Sequence, residues 1–164
     1  MKSRGGFLNM LATDIQVFIP NKLEISSNVR AIWDTGATGS VISKKVVNDL
    51  GLVPVGLQKV HTANGEVIKN TYVVDIGLPN RVLIQKVLVS EVDSLASNCD
   101  VLIGMNIINL GDLSITNYEG NTWMSFRIPS QHTIDYVVEK LEHKKPPLIK
   151  PSLGGKQLPK KKKK

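Results

Sequence analysis

The decisive stretch is Ala31-Ile32-Trp33-Asp34-Thr35-Gly36-Ala37-Thr38-Gly39-Ser40-Val41-Ile42-Ser43, residues 31–43. An apolar strand, VRAIW (29–33), runs straight into Asp34 and presents a carboxylate at its tip. Gly36 lets the backbone turn where a side chain would block close approach. Thr35 offers a hydroxyl able to bond a neighbouring backbone. Such a loop can bring its carboxylate beside a second copy of itself. Two carboxylates near contact cannot both ionise, so they share a proton. One then acts as general base on a water, and the other as general acid or electrostatic partner. Asp-Thr-Gly by itself is also an ordinary turn sequence, so its surroundings must decide.

Working outward, the chain reads as many short strands. DIQVFIP (14–20) alternates Ile15, Val17 and Ile19 with period two, as a half-buried strand does. NKLEISSN (21–28) reads as a polar turn between it and 29–33. In SKKVVNDLGL (43–52), Ser43 caps a short helix with Val46, Val47 and Leu50 inward and Gly51 ending it. GLQKVHTA (56–63) and EVIKNTYVVDIG (66–77) are two arms around Asn64-Gly65, the strongest short hairpin signal. RVLIQKVLVSEV (81–92) is a further strand and DVLIG (100–104) a short buried one. MNIINLG (105–111) suits one or two helical turns closed by Gly111. DLSITN and NTWMSFRIP flank Tyr118-Glu119-Gly120 as a last hairpin. HTIDYVVEKLEHKK places Ile134, Val137, Val138 and Leu141 on one face of an amphipathic helix.

Composition bounds the rest. The 164 residues, 41% hydrophobic and only 5% aromatic, suit one domain with an aliphatic core. No apolar run approaches the roughly 18–20 residues of a membrane span. The start, MKSRGGFLNM, lacks a secretory apolar segment, so a cytoplasmic protein with no membrane contact is expected. The single cysteine, Cys99, excludes an internal disulfide and a cysteine-based zinc cluster, and reads as a half-buried small residue. His61, His132 and His143 show no metal-ligand spacing. Neither a metal nor another cofactor is expected. The net charge of +7 is uneven: residues 144–164 hold nine lysines and no acid, which leaves 12 basic and 14 acidic residues before them. With Pro146, Pro147, Pro151 and Pro159, that segment reads as a disordered basic tail. Such a tail can give weak, sequence-blind contact with nucleic acid or an acidic partner, or simply solubilise the chain.

Three ordered elements carry a resemblance. DTGA at 34–37 follows an apolar strand, HTANGEV at 61–67 looks like a hairpin flap, and DVLIGMNIINLGDLSI at 100–115 supplies a strand-Gly motif before a short helix. In this order the sequence resembles the retroviral-like (retropepsin-like) aspartic proteases, particularly small bacterial or phage-type members, from about Asp14 to Pro129. Trp33 stands where that family more often has Leu, Ile or Val, and the flap tip is more polar than a viral one.

The resemblance implies a mostly β, closed antiparallel β-barrel-like acid-protease fold with short helices, in which a single lobe acts as a homodimer. It divides the chain into a protease domain (1–130), a C-terminal helix (131–143) and the tail (144–164). Asp34 is then the catalytic carboxylate, one from each protomer, since no other Asp is followed by Thr/Ser-Gly. Thr35, Gly36 and Ala37 support the loop and position substrate. Ala63, Asn64 and Gly65 form the flap over an extended peptide or protein substrate. Leu102, Ile103 and Gly104 form the structural strand-Gly motif. The implied reaction is hydrolysis of internal peptide bonds. A competing class is left open: a peptide-binding dimer of the same fold that has weak or no catalysis.

Overall fold

The computed structural model of the chain describes residues 1, 3, 6–62 and 65–137. The chain divides into two units, Met1–His132 and Thr133–Lys164. Among the described residues of the first, nine strands and two short helices follow the order β1 (Ala12–Ile19), β2 (Lys22–Trp33), β3 (Ser40–Ser43), α1 (Lys44–Leu50), β4 (Gly56–Thr62), β5 (Gly65–Gly77), β6 (Leu83–Val92), β7 (Val101–Ile103), α2 (Met105–Ile108), β8 (Asp112–Tyr118) and β9 (Asn121–Arg127).

Seven strands form one sheet in the order β1-β2-β7-β3-β6-β5-β4, and β1 also pairs with β5. That extra pairing, Gln16–Phe18 against Asp75–Gly77, closes six of the strands into a ring and leaves β4 hanging on β5. The fold is thus mostly β, with its core inside the ring. Period-two alternation explains the filling: Ile15, Val17, Val29, Ala31, Ile42, Val74, Ile76, Val89, Val101 and Ile103 are all buried. Curvature needs irregular spots. One is the shift between Val74 and Ile76, where buried Asp75 accepts the Lys86 amide at 2.7 Å and Lys86 adopts φ 55°.

The turn expected at 21–28 is not there. The reversal is confined to Pro20 and Asn21, where Asn21 takes φ 63°, and Lys22–Asn28 belong to β2. Leu23 and Ile25 are exposed, so burial does not select apolar residues in this part of the strand. Pairing with β1 at Lys22 and again at Ser26–Asn28 holds it extended on either side of a register shift. A second correction concerns Gly111. Helix α2 ends at the Asn109 cap with φ −68°, so no left-handed glycine closes it. Gly111 is needed instead because a Cβ there would lie 1.8 Å from the Arg127 carbonyl oxygen.

Helix α1 is as expected. Ser43 caps it by accepting the Val46 amide, Gly51 closes it at φ 60°, and Val46, Val47 and Leu50 are buried. β8 and β9 form a separate two-stranded sheet whose Met124 and Phe126 join the core. Along β9, the Ser3 amide donates to Thr122 O and the Met124 amide to Met1 O, each at 2.8 Å. Cys99 is fully buried rather than half-buried. Among the described residues no helix is long and apolar enough to cross a membrane. In the second unit Tyr136 and Val137 have helical backbone; the remainder of the expected C-terminal helix, and the whole 144–164 segment, lie outside the described residues.

Candidate active site

Asp34 is the first residue beyond β2, and the frame around it is built from β7 and α2. Strand β2 runs parallel to β7 with Trp33 opposite Ile103, and the Asp34 amide donates to the Ile103 carbonyl at 3.0 Å. The carboxylate end of β2 is therefore fixed by the strand-Gly motif some 70 residues on. Inside the loop, Asp34 Oδ1 accepts the Gly36 amide at 2.8 Å, and the Ala37 amide reaches Asp34 O at 3.4 Å. The side chain thereby orders its own turn. A Cβ on Gly36 would stand 3.2 Å from Asp34 Oδ1, tight enough that the carboxylate would have to shift by a few tenths of an ångström. Asp34 is partly exposed, and Thr35 and Gly36 are exposed, so the tip of the loop is accessible.

Beyond the tip the loop docks on α2. Met105 N donates to Ala37 O at 2.8 Å and Asn106 N to Thr38 O at 3.1 Å. These two amides of the first helical turn have no partners within so short a helix, and the loop carbonyls satisfy them. The close approach depends on Gly104, where a Cβ would lie 2.4 Å from Gly39 O and 2.9 Å from Ala37 O. Ile103 is buried, Leu102 is half-buried and pairs with Val41 of β3, and Gly104 supports the loop directly.

One residue of this frame, Ser40, was given no role by the sequence reading. Buried Ser40 accepts the Gly104 amide at 3.0 Å and donates to Asn106 Oδ1 at 2.7 Å, so it ties the end of the loop to both the glycine and α2. The signal was available: Ser40 is in phase with buried Ile42, so a polar residue was pointing inward and needed partners. Behind the loop, Trp33 Nε1 donates to Thr13 Oγ1 at 2.9 Å, and its ring lies 4.9 Å from Phe126 at 59°. The unusual Trp is thus a strut between β1 and β9, with its one polar atom satisfied.

The second sequence-predicted element is the β4–β5 hairpin. Its register pairs Thr62 with Gly65, which leaves Ala63 and Asn64 as the connection. Those two residues lie outside the described ones. Gly65 opens β5 at φ 114°, in the range that favours glycine.

The sequence profile of a family described as Aspartyl protease matches residues 21–107, which include the Asp34 loop, the hairpin and the strand-Gly motif. No curated protein matches the sequence. Similar solved structures include the EIAV protease complexed with the inhibitor HBY-793, at 18% identity over 62% of this chain and 86% of that one, TM-score 0.47. A retropepsin-like aspartic protease from Rickettsia conorii has 13% identity over 77% of this chain and 94% of that one, TM-score 0.46. The protease of simian foamy virus (mac) has 16% identity over 59% and 92%, TM-score 0.41. With a profile that spans more than half of its length, this chain belongs to the aspartyl protease family.

Proposed function

We propose that the protein is a retropepsin-type endopeptidase whose active species is a homodimer, with Asp34 of each protomer forming the catalytic dyad. The observation that carries this is the Asp34 loop itself: a partly exposed carboxylate at a strand tip, held by backbone bonds to Ile103 and Gly36 and braced by Gly104. One such loop supplies one carboxylate, and the chemistry needs two, so a two-fold axis through the site supplies the second. The ionised carboxylate takes a proton from water as the oxygen attacks the peptide carbonyl, and its protonated partner gives a proton to the carbonyl oxygen. Thr35 bonds across the dimer axis, Gly36 and Ala37 position substrate through their backbones, and the 61–67 flap with Ala63, Asn64 and Gly65 closes over an extended peptide as an added strand. The catalytic unit is residues 1–130.

The test is Asp34→Asn, which removes the shared proton with little change in volume. Peptide cleavage should fall by several orders of magnitude while the melting temperature stays at or above the parental value. Cleavage at the parental rate excludes the aspartic-protease reading. If neither protein cleaves and both bind extended peptides equally, the chain is a binding module of the same fold.

A further inference from the structure

The β4–β5 hairpin leaves the body of the protein within a short interval of β5. Gly65 to Ile68 are exposed, Lys69 and Asn70 are half-buried, and Thr71 and Tyr72 are buried. Ionisable groups gather at that interval, and none of them enters the chemistry at Asp34. The Tyr72 hydroxyl donates to Glu91 Oε2 at 2.7 Å in a buried contact. Lys44 Nζ lies 3.9 Å from Glu91 Oε1 and 2.5 Å from Asp93 Oδ1. Asp93 Oδ2 in turn takes Lys69 Nζ at 3.3 Å. Two contacts on β5, at Tyr72 and Lys69, therefore converge through Glu91 and Asp93 on one ammonium group.

That ammonium belongs to the first residue of α1, and α1 is bound to the catalytic frame. Ser43, its cap, donates its hydroxyl to Asp100 Oδ1 at 2.9 Å and its amide to Asp100 O at 2.8 Å, beside the start of β7. The other arm is gripped too: the Ser90 hydroxyl donates to Gln58 Oε1 of β4 at 2.9 Å. Lone surface ion pairs contribute little because water screens them and side-chain entropy opposes them. Here one carboxylate is shared by two lysines, and the adjoining Tyr72–Glu91 pair is buried, so the groups act as a network. Burial, then Glu91, pushes the Tyr72 hydroxyl up in pKa, and bonds from Lys44 and Lys69 pull Asp93 down.

We infer that Lys44, Glu91 and Asp93 form a fulcrum that sets the stance of the β4–β5 hairpin relative to the catalytic frame, which makes them positioning residues for peptide binding. The inference rests on the reading of that hairpin as a flap. Loosening the fulcrum leaves the Asp34 loop intact but lets the hairpin sample more positions, so it weakens substrate capture more than it slows the bond-breaking step.

The test compares the full chain with Lys44→Met, Asp93→Asn and Lys44→Arg by amide hydrogen exchange and by steady-state kinetics on one peptide. In Lys44→Met and Asp93→Asn, amides 66–70 should exchange faster by about two- to fivefold, the range expected when exposed ion pairs are lost. Amides 31–33 and 101–103 should not change. KM should rise by a similar factor with kcat nearly constant, and Lys44→Arg should restore both readouts. Unchanged exchange at 66–70, or equal acceleration everywhere, overturns the fulcrum. A fall in kcat with KM unchanged overturns its positioning role. A parent that neither cleaves nor binds peptide overturns the protease reading instead, and the exchange experiment still decides whether these residues hold the hairpin.

Discussion

Gly104 lies against Gly39 so closely that any side chain on it would collide with the loop that carries Asp34: a Cβ would stand 2.4 Å from the Gly39 carbonyl oxygen. The obstacle is backbone on both sides, including Ala37 O at 2.9 Å, so no flexible side chain can yield. Gly104→Ala should therefore destabilise the protein by about 1–3 kcal/mol, the usual range for overpacking. It should also displace residues 37–39 from α2. Urea unfolding reads the first effect, and loss of peptide cleavage beyond the unfolded fraction reads the second. A variant with parental stability would show that the strand-Gly motif does not support the loop.

The flap reading is tested at Gly65. Its φ of 114° strains any β-branched residue, although a Cβ would meet nothing within 4 Å. Gly65→Val should thus distort the hairpin locally, with a strain of about 1–3 kcal/mol that relaxes by moving the exposed start of β5. We expect kcat/KM to fall clearly while the melting temperature changes little. Parental kinetics in a folded Gly65→Val protein would remove the hairpin from the mechanism.

Acid stability turns on Asp112. Its carboxylate accepts the Ser130 hydroxyl at 2.5 Å, the Gln131 amide at 2.9 Å and Arg127 Nε at 2.8 Å. The Ser130 bond, then the Gln131 amide and Arg127, hold its carboxyl well below the usual carboxylate range. A depressed pKa in the fold means that the unfolded chain binds the proton more readily. The stabilisation is complete above the ordinary value of 3.8 and is lost as pH falls below it, through the lower folded value. The melting temperature of the parent should drop more steeply than that of Asp112→Asn between about pH 5 and about pH 2. Parallel curves would mean that this cluster does not hold the chain leaving β9.

The sequence made the Asp34 loop, the α1 caps and the hairpin arms legible because each depends on local chemistry. A glycine at a left-handed cap, a serine before a helix and period-two alternation all leave marks within a few residues. The strand at 22–28 was illegible because it is mostly exposed: its pairing with β1, through Lys22 and Ser26–Asn28, is backbone bonding, which polar residues satisfy as well as apolar residues would. Gly111 was misread for the opposite reason. Its local position suggested a helix cap, but its requirement comes from Arg127, a partner in another strand. The same limit hid the Lys44 network, whose members span residues 44 to 93 and share no sequence pattern.

The shared site also predicts how mixtures of the parent and Asp34→Asn behave. If both carboxylates of a dimer are needed, Asp34→Asn chains poison the parental chains with which they pair. With equal amounts of the two proteins equilibrated together, random pairing leaves about one quarter of the dimers with two Asp34 residues. Activity per parental chain should therefore fall to about half that of the parent alone at the same total concentration. The loss should require time for exchange of protomers, and it should be absent when the two proteins are mixed at the moment of assay. The complementary measurement is sedimentation at micromolar concentration, which should give a mass near twice 18.0 kDa for the parent and for Asp34→Asn alike. Activity that stays proportional to parental chain in equilibrated mixtures would mean that one Asp34 suffices, and the dyad with its two-fold axis would have to be abandoned.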